Sequence, residues 1–360
     1  MESSRAGIAC ALGLASLCAC GAKTDLRAPA YDEVDAEVAD DVGPARDAVD
    51  ACVSRALPAP PTETEAILLI DRSGSMEAGA RDEDGTITTR WGAMAGALRR
   101  RLGVYERSVA FGLWMFPSTD GDCRVNASPA IAPAPGAAER VNASLAAEVP
   151  TGGTPTWATL RALGAWLDAH PSTRPRSVVL VTDGGPNCNP DVDSRTCACV
   201  LGPSVVRGGC YGDPAACLDD VRAVDAVAAL ARRGVPVYVV GFDEGLAVLT
   251  DVLDRMALAG GRPRMDAAGP RFYRVAQGAD VGAAFDAIAP SITACAREAP
   301  SRPDDDLPFA VTVGGAVVAR DRSRVDGWDW ADDGSARVLF FGAACARAAR
   351  EPVSLRYGCR

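Results

Sequence analysis

One carboxylate and two hydroxyls stand at alternate positions directly after an apolar stretch: Asp71, Ser73 and Ser75. A spacing of two brings the three side chains to one side of a short loop, and Gly74 lets the backbone turn there without a Cβ penalty. Such oxygen donors suit Mg²⁺ or Mn²⁺. The motif by itself is equally compatible with a polar turn in which a serine caps the next helix.

The element that positions this motif is the apolar run over residues 66–70. A short continuous apolar run is typical of a strand that is buried on both faces, as in a parallel sheet. The polar residues then lie at the carboxyl end of a central strand. That end is where ligands bind in open α/β sheets.

Two later stretches carry further oxygen donors. Residues 151–156, TGGTPT, form a glycine turn that opens a helical pattern and contains Thr154. Residues 177–182 form a second buried-strand run, and Asp183 follows it with two glycines. The order and approximate spacing of the three motifs resemble those of the von Willebrand factor type A (VWA) domain family, and the resemblance covers residues 64–296.

The resemblance implies a metal-ion-dependent adhesion site that binds Mg²⁺, or else Mn²⁺ or Ca²⁺. Three hydroxyls would coordinate the ion directly, and two carboxylates would coordinate it directly or through water. An open position on the ion would then accept a carboxylate from a protein partner. The implied metal set is Asp71, Ser73, Ser75, Thr154 and Asp183.

Strand and helix patterns alternate from residue 66 onward, which predicts an α/β fold with a doubly wound, mostly parallel sheet flanked by helices. We expect this VWA-like, Rossmann-like domain to cover residues 64–298. The predicted strands are 66–70, 108–116, 176–182, 235–242 and 272–276. The predicted helices are 90–102, 137–148, 156–167, 218–233, 246–259 and 281–296.

The composition limits the possible functions. The chain has 360 residues, and its 47 acids against 37 bases give a formal net charge of −10, which argues against a nucleic-acid partner. Its single lysine, Lys23, excludes a Walker-type phosphate loop, which needs a Gly-Lys pair. Nucleophilic catalysis has little support, because the one histidine, His170, follows a helical stretch and no G-x-S-x-G elbow occurs.

Residues 1–20 have the pattern of an export signal, with Arg5 ahead of an apolar run over residues 8–19 that is too short to span a bilayer. The ending Leu-Cys-Ala-Cys-Gly resembles a bacterial lipoprotein signal, which implies that Cys20 becomes lipidated. An ordinary secretory signal is the alternative, and both send the protein out of the cytoplasm. Gly21, by analogy with bacterial sorting, favours the outer membrane, with a periplasmic or a surface face left open.

Residues 21–63 are predicted to be an acidic, disordered linker. Between residues 23 and 65 there are 11 acids and four bases, a net charge of −7, and aromatic residues are nearly absent. Such a segment buries too little apolar surface to offset its ordering entropy.

The 13 cysteines divide into groups. Residues 184–218 form an insertion with five cysteines. Their spacing lacks the paired C-x-x-C pattern of zinc sites, and the predicted export of the protein favours disulfides instead. We expect this loop to join the rim of the metal site and to determine partner specificity.

The cysteines outside the export signal divide into two sets. The five cysteines of the loop and Cys123 make one set of six; a second set of four consists of Cys52, Cys295, Cys345 and Cys359. In the family that the chain resembles, the chain enters and leaves at one edge, which would bring Cys52 to Cys295 and leave Cys345 for Cys359, although sequence does not determine the connectivity.

Residues 299–360 change character to short alternating or apolar runs at 309–313, 316–319, 337–341 and 353–357. They predict a small β-rich module held by a disulfide, similar to the tails of exported VWA proteins of the myxobacterial type. Trp328 and Trp330 at alternate positions favour a core role over a binding platform.

The resulting prediction is a non-enzymatic, lipid-anchored protein of the cell envelope that binds an acidic side chain of a protein partner through its metal ion. Two alternatives stay open. One is a structural envelope protein whose metal serves stability only. The other is a metal-assisted hydrolase, whose turnover would require Asp71.

Overall fold

The computed structural model describes residues 53–58, 63–120, 122–201, 204–207, 209–210, 212–242, 247–264, 269–293, 295–303, 309–331 and 334–357. The predicted export signal, Cys20 and most of the predicted linker lie outside the described residues.

Strands and helices alternate through the first two thirds of the described chain. The strands are β1 (Val53–Ala56), β2 (Thr64–Asp71), β3 (Gly79–Arg81), β4 (Ile87–Thr89), β5 (Val109–Phe116), β6 (Ile131–Ala134), β7 (Arg176–Thr182), β8 (Ala198–Leu201), β9 (Ser204–Arg207), β10 (Val237–Phe242), β11 (Tyr273–Val275), β12 (Ala296–Glu298), β13 (Phe309–Val313), β14 (Ala316–Val318), β15 (Gly327–Trp330), β16 (Arg337–Phe341) and β17 (Val353–Tyr357). The α-helices are α1 (Arg90–Tyr105), α2 (Ala138–Ala147), α3 (Thr156–Ala169), α4 (Asp220–Arg232), α5 (Ala247–Ala259), α6 (Gly278–Ile292) and α7 (Gly342–Ala348). None of these helices combines the length and the apolar character that crossing a membrane requires.

Six strands form the central sheet, in the order β11-β10-β7-β2-β5-β6. The first five run parallel, and β6 pairs antiparallel with β5 at the edge. The sheet is therefore α/β and mostly parallel, as the sequence predicts. The edge strand β6 was not predicted, because Pro133 interrupts its short pattern; a proline lacks the N–H that an inner strand needs and is tolerated at an edge.

Helices cover both faces of this sheet. Alternate residues of β2 separate into two cores: Leu68 and Ile70 pack with α1, α2 and α6, whereas Ile67 and Leu69 pack with α3, α4 and α5. All eight residues of β2 are buried, which explains its continuous apolar run. The closing helix begins earlier than predicted, since Gln277 and Asp280 form a capping box, and it ends at Ile292.

The C-terminal module consists of two small antiparallel sheets. One has the order β1-β17-β13-β14 and the other the order β12-β16-β15. Trp328 and Trp330 are each only 3% exposed and pack in this module's core, which confirms the predicted core role. The predicted linker differs from the structure at its end, because Val53–Ala56 pairs with β17 instead of remaining unstructured.

Four disulfides join cysteines of the described chain: Cys123–Cys188, Cys197–Cys217, Cys199–Cys210 and Cys295–Cys345. They respect the predicted division into two sets. The expected Cys52–Cys295 and Cys345–Cys359 pairings are wrong, because β12 and β16 lie side by side and bring Cys295 to the helix that follows β16. Cys52 and Cys359 lie outside the described residues.

The cysteine-rich insertion has its own short hairpin, formed by β8 and β9. Three of its sulfur atoms, those of Cys197, Cys210 and Cys217, lie within 4.8 Å of one another. All three belong to disulfides, in agreement with the prediction of disulfides over zinc. The bonded cysteines indicate that the protein works in an oxidising, extracytoplasmic compartment.

Candidate metal centre

The first aspartate of the predicted site ends the central strand of the sheet. Asp71 is the last residue of β2, and Thr182 is the last residue of the parallel neighbour β7. The Asp71 carboxylate is held at both oxygens: Oδ1 accepts the Ser73 backbone N–H at 2.8 Å, and Oδ2 accepts the Thr182 hydroxyl at 2.5 Å. The sheet therefore positions Asp71 through its own strand and through the next one.

The two serine hydroxyls lie between the two carboxylates. The Ser73 Oγ and the Ser75 Oγ are 3.1 Å apart, and the Ser75 hydroxyl donates to Asp183 Oδ1 at 2.7 Å. A 3₁₀ turn over Gly74–Glu77 begins directly after Ser73 and orients Ser75 towards the loop after β7. Asp71, both serines and Asp183 thus form one polar cluster at the carboxyl edge of the sheet.

Thr154 reaches the cluster from a separate loop. A Cβ placed on Gly184 would lie 3.6 Å from the Ser75 Oγ and 3.9 Å from the Thr154 Oγ1, so both hydroxyls border the same small space above Gly184. The threonine loop is joined to the serine loop by the Gly74 N–H, which donates to the Gly152 carbonyl at 3.0 Å. All five predicted residues are therefore brought together.

Burial changes the titration of both carboxylates. Asp71 is fully buried and Asp183 is 2% exposed. Burial, with the nearby negative charge of Asp183 as the second cause, raises the pKa of Asp71 to about 7. Burial likewise raises the pKa of Asp183, while hydrogen bonds from Arg90 and Ser75 oppose the increase.

Sequence analysis missed two residues that shape this centre. Arg90, the first residue of α1, donates from Nη1 to Asp183 Oδ2 at 2.8 Å. Asn187 accepts the Thr154 backbone N–H on its Oδ1 at 2.6 Å, and its own N–H donates to the Thr154 carbonyl at 3.0 Å. Neither stands in a recognisable motif.

The donors present fit a small divalent cation. They are two carboxylates and three hydroxyls, and Mg²⁺ and Mn²⁺ prefer such oxygen ligands. Two buried carboxylates side by side also carry an electrostatic cost that a divalent cation would remove, because each carboxylate raises the energy of the other. The small space beside Gly184 is bordered by two of the three hydroxyls.

Fold and site together define a doubly wound α/β protein with an oxygen-donor centre at the carboxyl edge of its sheet. No protein-family model matches the chain, and no curated protein matches it. Solved structures of similar arrangement do exist. The pilus adhesin SpaC from Lactobacillus rhamnosus GG is 18% identical, with a TM-score of 0.46 over 82% of this chain and 39% of SpaC.

Two further structures extend the comparison. The manganese-loaded TRAP protein of Plasmodium vivax is 17% identical, with a TM-score of 0.41 over 72% of this chain and 86% of TRAP. The SpRpn10 VWA domain is 12% identical, with a TM-score of 0.34 over 54% of this chain and 82% of that domain. At these values the likeness concerns only the arrangement of strands and helices. The chain spans less than half the length of SpaC.

Proposed function

We propose that this chain is a VWA-type binding protein that holds a divalent cation between its two buried carboxylates and presents the ion to an acidic protein partner. The observation that carries the proposal is the cluster of Asp71 and Asp183 with the hydroxyls of Ser73, Ser75 and Thr154. Three of the five residues contribute neutral hydroxyls, and the two aspartates contribute one formal negative charge each. A divalent ion bound there supplies an electrophilic position for one further carboxylate.

The ion that fits best is Mg²⁺, with Mn²⁺ and Ca²⁺ as alternatives. Ser73, Ser75 and Thr154 would hold it through hydroxyl oxygens, and Asp71 and Asp183 would orient the shell. The same ion would also stabilise the fold, because it would neutralise two carboxylates that are buried together. We propose no catalytic reaction for the site.

The disulfides support a location outside the cytoplasm. We propose that residues 1–20 direct export and that lipidation of Cys20 anchors the protein to the outer membrane. Residues 21–52 would then be an acidic tether, residues 64–298 the binding domain and residues 299–360 the C-terminal module. The insertion at 184–218 would form the rim that a partner meets.

The test is calorimetric titration of Mg²⁺ and Mn²⁺ into the exported protein, beside Asp71→Asn and Thr154→Ala. We expect each substitution to reduce the affinity for the ion by at least about tenfold, since each removes an oxygen that contacts or orients the ion. Asp251→Asn is a matched control, because its carboxylate is exposed on α5 and pairs only with Arg255 among the contacts described here. The control should bind the ion as the wild type does.

A second titration separates adhesion from stability. A soluble glutamate-containing peptide should bind only when the ion is present. If the ion raises the melting temperature and the peptide shows no ion-dependent binding, the metal is structural. If the folded wild type binds no ion at all, the proposed function is wrong.

A further inference from the structure

Arg90 is a buried cation in direct contact with the candidate metal centre. Its Nη1 lies 2.8 Å from Asp183 Oδ2, with the two side chains 5% and 0% exposed. Thr89 caps the first turn of α1 by accepting the Gly92 N–H, and the Arg90 backbone N–H donates to the Ala78 carbonyl. The helix start is therefore fixed on both sides, and the guanidinium is directed at the carboxylate.

Both oxygens of Asp183 are engaged by different kinds of group. Oδ2 accepts from the guanidinium, and Oδ1 accepts from the hydroxyl of Ser75, which belongs to the proposed metal set. The carboxylate thus links the arginine to the place where the ion would sit. An ion bound on the Ser75 side would contact the Asp183 carboxylate, which already forms an ion pair with Arg90.

Elementary electrostatics gives the consequence. A guanidinium keeps its charge at every accessible pH, so its effect on Asp183 is permanent. Two cations on one carboxylate repel each other, and burial weakens the solvent screening of that repulsion. An additional negative group on the far side of the ion would offset the repulsion, and a partner carboxylate at the open position is such a group.

We infer that Arg90 is a positioning residue that couples metal binding to the arrival of an acidic ligand. It lowers the affinity of the ligand-free centre for the ion, and a carboxylate bound to the ion restores that affinity. The inference rests on the proposed function. Because linkage is reciprocal, the ion must strengthen carboxylate binding by the same factor by which the carboxylate strengthens ion binding.

The experiment is a Mn²⁺ titration of the exported protein, followed by calorimetry, with and without acetate as the carboxylate probe. In the wild type we expect acetate to tighten Mn²⁺ binding by about tenfold. Arg90→Gln removes the charge, so we expect Mn²⁺ alone to bind about tenfold more tightly and the acetate effect to shrink to about twofold or less. Arg90→Lys keeps the charge and should behave as the wild type.

Arg101→Gln is the matched control on the same helix. Arg101 pairs with Glu83 at 2.6 Å and with Asp286 at 3.2 Å, on the side of α1 that faces α6. It should leave both Mn²⁺ affinity and the acetate effect unchanged. Circular dichroism of every variant checks that each has folded.

The outcomes separate the two proposals. Wild type that binds no Mn²⁺ contradicts the proposed function itself. Wild type that binds Mn²⁺ with no response to acetate overturns the Arg90 inference, even if Arg90→Gln does not fold; ion-dependent binding of the glutamate-containing peptide then decides separately whether the proposed function holds. Weaker Mn²⁺ binding in both Arg90→Gln and Arg90→Lys would show that the arginine only holds Asp183 in place, and would also overturn it.

Discussion

At the scale of single residues, the centre is defined by two carboxylates that the fold removes from water together. Asp71 accepts from the Thr182 hydroxyl and the Ser73 backbone, and Asp183 accepts from Ser75 and Arg90. These hydrogen bonds favour the charged forms, but burial outweighs them and raises the pKa of both groups. The ion-free centre therefore takes up protons more readily than ordinary aspartates do.

This titration predicts how stability depends on pH. The pKa of Asp71 is about 7 in the folded protein against 3.8 for the unperturbed group. Between these values the folded state binds more protons than the unfolded state, so the free energy of unfolding of the ion-free protein should fall as the pH rises from 4 to 7. Urea unfolding in EDTA at several pH values measures this slope, and Asp71→Asn should flatten it.

Metal binding should show the opposite dependence on pH. The ion needs charged carboxylates, so Mg²⁺ or Mn²⁺ should raise the melting temperature more at pH 8 than at pH 6 and should release protons on binding. Calorimetry in two buffers of different ionisation enthalpy counts those protons. An ion-induced shift in melting temperature that is equal at the two pH values would contradict the assignment of Asp71 to the metal set.

At the scale of elements, the cysteine-rich insertion supports the loop that carries Thr154 in the metal centre. The Cys123–Cys188 disulfide joins the segment after β5 to the segment after β7. Next to it, Asn187 holds the backbone of Thr154, and the Gly153 N–H donates to the Asp122 carbonyl at 2.8 Å. The loop that carries Thr154 is therefore clamped between two segments that the disulfide joins.

Removing this disulfide should loosen Thr154. We expect the double variant Cys123→Ser, Cys188→Ser to keep its secondary structure but to bind Mn²⁺ several-fold more weakly. It should also lose stability by up to about 4 kcal/mol, the loop-entropy value for a separation of 65 residues. Calorimetry and urea unfolding measure the two effects.

The control for this prediction is the double variant Cys197→Ser, Cys217→Ser. That disulfide lies within the insertion and spans 20 residues. It should lower stability without changing Mn²⁺ affinity. If both double variants weaken Mn²⁺ binding equally, the clamp on Thr154 is not specific to the Cys123–Cys188 bond.

At the scale of the whole described molecule, the segments before and after the α/β domain form one sheet. Val53 in β1 pairs with Tyr357 in β17, and the Leu57 N–H donates to the Val353 carbonyl at 2.8 Å. Leu57 is 7% exposed and packs into the core that contains Trp328. The C-terminal module is therefore incomplete without residues that precede the domain.

Leu57→Ala should test this dependence. Truncating a buried leucine typically costs about 2 to 5 kcal/mol, so the free energy of unfolding should fall within that range while Mn²⁺ affinity stays unchanged. Leu258→Ala, at a leucine that is 53% exposed on α5, is the matched control and should change little. A Leu57→Ala protein as stable as the wild type would show that the packing of Leu57, next to β1, adds nothing to the stability of the module.

Much of the fold follows from local patterns. β2, β5, β7 and β10 are continuous apolar runs because helices cover both faces of the sheet, and their predicted positions agree with the structure within two residues at each end. The convergence of Asp71, Ser73, Ser75 and Asp183 follows in the same way, since carboxyl ends of parallel strands meet at one edge. Thr154 lies between α2 and α3 and was predicted only through the resemblance to the VWA family. The binding of a metal ion by these five residues stays a prediction.

Residue types and spacing by themselves indicated the mostly parallel sheet, the polar residues at the carboxyl ends of two of its strands and the disulfide-bonded character of the insertion; the complete five-residue set was implied by the resemblance to the VWA family. Tertiary structure alone decided that Arg90 contacts Asp183, that Asn187 holds Thr154 and that Cys295 bonds to Cys345, because these pairs are 93, 33 and 50 residues apart. Local periodicity reports which face of an element is buried. It carries no information about which distant side chain will contact that face, and such long-range contacts set the charge and the rigidity of the metal centre.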